Sequence, residues 1–165
     1  MNILVAGVGN VLRSDDAFGV EVANRLLRRE TIPNVTVVET GIAGIQLVQD
    51  LQDGYDAVIV IDTVDRERPP GTVMTIDYDV IDVHALDHNT KYDLLADMHL
   101  ATPERSLMVA RALGVLPPIV KMVGVQPVDV DTMGIGMSDV VANAIDVTID
   151  EIDRCIASLQ LTGSA

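Results

Sequence analysis

Residues 57–61 read AVIVI, apolar at every position. A strand with one wet face alternates apolar and polar side chains, so an unbroken apolar run of this length marks a strand covered on both faces. Residues 2–7 (NILVAG) have the same character. A sheet with such strands at its centre needs helices above and below it, and the intervening sequence supplies them. Between the two runs lie a helical pattern over about residues 15–29, a strand over 34–39 (NVTVVE) and a second helical pattern over 42–51. In the first helix Phe18, Val22 and Leu26, with Ala23 and Leu27 beside them, form one stripe. In the second, Ile45, Val48 and Leu51 share a face.

After the central run come a polar turn at 66–71 (RERPPG), a fourth strand at 72–76 and a fifth at 119–125 (IVKMVGV). Residues 77–98 are acidic and weakly periodic. A helix is expected to start at Pro103 with Thr102 as its cap, since proline suits the first helical position. The last helix, over 138–159, buries Val141, Ile145, Ile149, Ile152, Ile156 and Leu159 and turns Asp146, Asp150 and Asp153 outward. This β-α-β-α-β order predicts a three-layer α/β/α sandwich with a mostly parallel five-stranded sheet, in one domain over residues 1–165. Functional residues are expected beyond the carboxyl ends of the strands, in the loops after strands one, three and four.

Charge and composition narrow the partners. The formal net charge is −14, which repels phosphate backbones and argues against nucleic acid. With no Trp, one Phe and three Tyr, the chain also lacks the aromatics of a base-stacking surface. The same charge favours a basic partner or a metal cation, or serves solubility alone. Cys155, the single cysteine, falls on the apolar side of the last helix and reads as a core thiol rather than a nucleophile. No segment approaches the ~20 apolar residues that span a bilayer, and the first residues lack the basic start of a signal peptide. A cytoplasmic protein without a membrane partner, monomeric when free, is expected.

Several residues are candidates for chemistry. Gly7, Val8, Gly9 and Asn10 follow the first strand, but Leu12 stands where a dinucleotide fingerprint needs its third glycine, so a tight turn beside a site explains them better. Asp15 and Asp16 come next. Acids at a helix start offset the macrodipole and cap free N–H groups, which is a structural reading of the pair. Asp62 ends the third strand, where sites of α/β sheets form, although a solvated strand end explains it equally well. Of His84, His88 and His99, the last lies just before the capped helix. Two carboxylates and one imidazole suit a borderline divalent cation such as nickel or zinc, and three protein ligands leave positions open. Neither a G-x-S-x-G elbow nor an H-E-x-x-H helix is present.

Residues 3–20 (ILVAGVGNVLRSDDAFGV) resemble the N-terminal signature of the hydrogenase maturation proteases: a strand, G-x-G-N, a spacer, an acidic pair and a glycine. The resemblance continues through Glu39, Thr40, Gly41 and Gly44, then Val60, Ile61 and Asp62, then Pro70 and Gly71. It resumes at His99 and ends with Val123, Gly124, Val125, Gln126 and Pro127. It covers residues 3–160, and the ordered set is more specific than any one motif.

The resemblance implies a five-stranded α/β sandwich of the phosphorylase/hydrolase-like kind and an aspartyl-type endopeptidase. Such an enzyme removes the C-terminal extension of a hydrogenase large-subunit precursor after nickel insertion. The family's triad falls on Asp16, Asp62 and His99, which would contact a nickel brought by the substrate, or another divalent cation. His88 is a rival for the histidine role. Thr40 and Ala17 stand where the family often has glycine, and Thr40 is expected to narrow the cleft or change substrate choice. A receiver-like phosphoacceptor module and a non-catalytic nickel-protein chaperone are the alternatives.

Overall fold

The computed structural model describes residues 1–42, 44–86 and 102–163. Five strands form one sheet: β1 (Ile3–Val8), β2 (Val35–Gly41), β3 (Ala57–Thr63), β4 (Val73–Asp77) and β5 (Ile119–Val125). Their order is β2-β1-β3-β5-β4, parallel except for the antiparallel edge strand β4. The apolar runs account for this arrangement. β1 is buried at all six positions, and β3 is buried from Ala57 to Ile61. Both are central, as strands with two covered faces must be.

The sheet separates two apolar clusters. On one face Ile3, Val5, Ala57, Ile59 and Ile61 meet Phe18, Val22 and Leu26 of α1 (Phe18–Leu27). Ile145, Ile152, Ile156 and Leu159 of α5 (Ile145–Thr162) pack there too. On the other face Leu4, Ala6, Val58 and Val60 meet Leu47 of α2 (Gly44–Asp50), Leu51, and Leu107 and Met108 of α3 (Pro103–Ala112). Each fully buried side chain of this size contributes roughly 1.5–3 kcal/mol, so the two clusters carry most of the stability. The architecture is the expected three-layer sandwich. Cys155 is buried in the first cluster, as a core thiol should be.

Three local expectations need correction. The second helix buries Leu47, Val48 and Leu51, while Ile45 is 60% exposed and Ile42 is exposed beside it. The last helix is two pieces, α4 (Asp139–Ala142) and α5. The Ala144 N–H closes a tight turn onto the Val141 carbonyl before the longer helix begins. The first helix starts at Phe18, after a 3-10 turn at Ser14–Ala17, and no side chain caps either element. α3 begins as read, with Thr102 Oγ1 accepting from the Arg105 N–H and Pro103 in the first turn.

β4 also changes which loops can reach the site. Because it runs antiparallel, its last residue Asp77 pairs with Lys121 near the start of β5, and Tyr78 donates its N–H to the Val120 carbonyl. The chain leaves β4 at the amino edge of the parallel strands. The carboxyl edge is served instead by the loops after β1, β2, β3 and β5.

Candidate active site at the carboxyl edge of the sheet

β1 leads through α1 to β2 on one side, and the chain then crosses to β3 on the other. The strand order therefore reverses between β1 and β3, which is where open α/β sheets place their ligands. Asp16 follows β1 and Asp62 belongs to the end of β3.

Glycines bring the two ends together. Gly9 has φ of +143°, and a Cβ there would lie 1.9 Å from the Asp16 carbonyl oxygen. The Asn10 N–H donates to that same oxygen at 3.0 Å. The turn closes onto Asp16 only because Gly9 has no side chain. Gly19, in the first turn of α1, lets the helix rest on the ends of β1 and β3: a Cβ would meet the Val8 and Ile61 carbonyl oxygens at 2.2 Å. These contacts support the sequence reading of a tight turn beside a site.

The acidic pair divides its roles. Asp15 is fully buried. Its Oδ1 accepts from the Ser138 N–H at 2.7 Å, and its Oδ2 accepts from the Val128 N–H, the Asp129 N–H and the Ser138 hydroxyl at 2.8, 3.1 and 3.1 Å. Burial pushes its pKa up, but these hydrogen bonds to the charged form outweigh burial and hold it below the usual aspartate value. Asp15 thus neither caps its own helix nor faces an opening.

Asp16 is partly exposed, and its pKa is raised. Burial is the largest cause, the Arg13 guanidinium and the Asn10 N–H oppose it, and Asp131 adds to it. Asp62 shows the larger effect. Burial raises its pKa well above the ordinary value, the Thr63 N–H at 2.7 Å opposes that, and the charges of Asp16 and Glu104 push it higher. Two carboxylates from different strand ends therefore share one field.

Glu104 was not among the sequence candidates. It sits in the first turn of α3, where an acid reads as an ordinary complement to the helix dipole. Its effect on Asp62 places the start of α3 near the same edge. His99 and His88 lie outside the described residues, and His84 is exposed in a 3-10 turn at Val83–Ala85. Among the described residues, no three His, Cys, Asp or Glu side chains gather closely enough to hold a metal ion.

Two loops frame the carboxylates. Gln126 is buried, and its Oε1 accepts from the Arg66 and Arg68 N–H groups at 2.8 and 3.2 Å while its Nε2 donates to Asp65 at 2.9 Å. One side chain thereby sets the turn after β3. At β2, Gly7 pairs with Glu39 and Val8 with Gly41, so Thr40 is the extra residue of a bulge. Thr40 is buried, and its hydroxyl donates to the Gly7 carbonyl at 3.2 Å. Its hydroxyl is spent on the bulge. Ala17 is buried as well.

The structure also bears on the phosphoacceptor alternative. Receiver domains share the sheet order 2-1-3-4-5. Here β4 is an antiparallel edge strand, and the Lys121 ammonium pairs with Asp77 at 2.5 Å.

Residues 20–154 match the family described as hydrogenase maturation protease. The hydrogenase expression/formation protein HupD of Rhodobacter capsulatus is 33% identical over 153 residues, covering 92% of this chain and 70% of that one. The hydrogenase 2 maturation protease of Escherichia coli K12 is 28% identical over 165 residues, covering 99% and 93%. Among solved structures, the E. coli hydrogenase maturating endopeptidase HybD superposes with a TM-score of 0.74 at 26% identity, over 99% of this chain and 94% of that one. A hydrogenase 2 maturation peptidase from Thaumarchaeota archaeon SCGC_AB-539-E09 superposes with a TM-score of 0.68 at 31% identity, over 95% and 99%.

Proposed function

Since this chain belongs to the hydrogenase maturation proteases and is a peptidase, we propose that it removes the C-terminal extension of a nickel-loaded hydrogenase large-subunit precursor, with Asp16, Asp62 and His99 recognising the nickel that the substrate carries. The observation that carries this reading is the electrostatic state of Asp62. Its carboxylate is desolvated, and both Asp16 and Glu104 raise its pKa. Such a pair is costly to ionise in the free protein and is relieved by a cation from outside.

The donor set fits that role. Two carboxylates make a weak site for a borderline cation, and a histidine added to them improves it without closing the coordination shell. His99 precedes Glu104 by five residues in sequence, which favours it over His88 for the histidine role. An ion already held by the substrate's own ligands would engage Asp16 and Asp62 through its remaining positions. A protein lacking that ion would leave the two carboxylates opposed. Discrimination between nickel-loaded and nickel-free precursor then follows from like-charge repulsion.

The test is to incubate the chain with precursor prepared with and without nickel and to look for loss of a C-terminal peptide by mass spectrometry. The expected result is cleavage of the nickel-loaded form alone, by a protease that itself carries substoichiometric metal. Cleavage of both forms at equal rates removes the recognition role from the triad. An uncut nickel-loaded precursor favours a non-cutting nickel-protein chaperone.

A further inference from the structure

The loop between β5 and α4, residues 126–138, is built with care and yet presents apolar side chains to solvent. Met133 is 71% exposed, Ile135 is 88% exposed and Val128 is 56% exposed. The segment beside it carries Leu12, 50% exposed. These side chains do not hang from a loose tether. The Ser14 N–H donates to the Gly134 carbonyl at 3.0 Å, and the Gly134 N–H donates to the Leu12 carbonyl at 2.9 Å, so Arg13 and Gly134 form a short parallel bridge. Asp129 accepts from the Asp131 and Thr132 N–H groups at 2.8 and 3.0 Å. Arg13 pairs with Asp131 at 3.0 Å. Beneath everything lies the buried Asp15 carboxylate with its four hydrogen bonds to Val128, Asp129 and Ser138.

A buried ionised carboxylate is expensive and is tolerated where its bonds hold something in place. What Asp15 holds is a ledge next to Asp16. Arg13 and Asp131, on the two sides of the ledge, both act on the Asp16 charge. The backbone turn that carries Asp15 carries Asp16 as well.

We propose that Asp15 is a positioning residue: it pins the 126–138 loop to the turn bearing Asp16, so that Met133, Ile135 and Leu12 form the apolar contact for the protein substrate beside the cleavage carboxylates. This rests on the function proposed above and names its docking surface. The occupant follows from the site's position and chemistry. A polypeptide reaching Asp16 from the side of the β1 and β5 loops crosses this ledge. The ledge meets it with apolar side chains, because Arg13 pairs with Asp131 and the Asp129 carboxylate is turned onto N–H groups of its own loop. The matching surface on the large-subunit precursor is therefore apolar and lies close to its cleaved segment.

The substitution Asp15→Asn keeps the shape but defeats the anchor. Both carboxylate oxygens accept, so an amide must turn its NH2 toward a backbone N–H on one side or the other. Met133→Asp and Ile135→Asp leave the anchor intact and change only exposed side chains.

The experiment measures steady-state cleavage of the nickel-loaded precursor by the wild-type chain and these variants, well below each variant's unfolding midpoint. Met133→Asp and Ile135→Asp should each raise KM by about tenfold with kcat little changed, the signature of lost binding shared by ground and transition states. Asp15→Asn should raise KM similarly, and combining it with Ile135→Asp should add little, because both remove the same contact. Wild-type KM in Met133→Asp and Ile135→Asp overturns the ledge. An Asp15→Asn chain with wild-type KM makes Asp15 a stabilising residue only. If the wild-type chain does not cut the precursor, the proposed function fails first, and that outcome is separate from these.

Discussion

Burial raises the pKa of Asp62, and the Asp16 carboxylate, from the loop after another strand, raises it further. The pair is a local electrostatic cost in the free protein, and the cost has a sign that can be measured.

Between the ordinary aspartate value and their raised folded values, Asp62 and Asp16 bind more proton in the folded chain than in the unfolded one. Their contribution to stability is therefore full below the ordinary aspartate value of 3.8 and is lost as pH rises through the raised folded values. Asp62→Asn should accordingly unfold at a higher temperature than the wild type at pH 7, by a few degrees for each ~1 kcal/mol relieved. The gain should disappear by pH 3. Differential scanning calorimetry of the metal-free proteins at both pH values checks this, and a lower midpoint at pH 7 contradicts the electrostatic account. Cleavage by the same variant should fall by ~10²-fold or more, as for loss of a group acting in the transition state.

Asp15 carries the opposite sign. Its folded pKa lies below 3.8, so its stabilising contribution is present above that value and is lost as pH falls through the folded one. Asp15→Ala leaves the Val128, Asp129 and Ser138 N–H groups without their acceptor and should cost about 3 kcal/mol at pH 7. Urea denaturation at pH 7 and pH 3 should show the gap between variant and wild type narrowing at the lower pH.

Gly9→Ala puts a methyl group where the Asp16 carbonyl oxygen already lies, at a backbone angle that L side chains rarely adopt. The turn must open, at a cost of about 1–3 kcal/mol. Asp16 moves with it, so cleavage should fall more steeply than stability. An alanine variant with wild-type activity would show that the turn has room to spare.

Gln126→Ala removes the acceptor shared by the Arg66 and Arg68 N–H groups and the donor to Asp65. Trypsin requires a locally open chain after arginine and does not cut the Arg68–Pro69 bond, so cleavage after Arg66 should become several-fold faster. Peptide mapping after brief digestion measures it. Unchanged cutting there would mean that the Asp65–Glu67 hydrogen bond alone holds the turn.

How far the sequence could be read depends on where each residue finds its partners. β1 and β3 were legible because a strand covered on both faces leaves a continuous apolar run, and β5 because only Lys121 interrupts its apolar residues. The start of α3 was legible because Thr102 and Pro103 act on their own first turn. Ile45 was misplaced because isoleucines at Ile42 and Ile45 extend the apolar stripe of α2 beyond the face that is covered. The break before α5 has no glycine or proline to announce it. The acidic pair was recognised as a motif, and Asp16 and Asp62 do share one edge, but a local capping rule could not tell Asp15 from Asp16. Asp15's partners lie more than a hundred residues along the chain. Glu104 was missed for a related reason, since only the fold brings α3 to the end of β3.

The bond between Asp15 and Ser138 spans 123 residues. A ribosome adding roughly 5–20 residues per second needs on the order of ten seconds to traverse that interval. During it the turn carrying Asp16 exists without the loop that anchors it, and α5, which covers one face of the sheet, has not been made. A nascent or truncated chain ending before Ser138 therefore has both carboxylates and no assembled cleft. This edge of the sheet is therefore completed by a segment made long after the two carboxylates themselves.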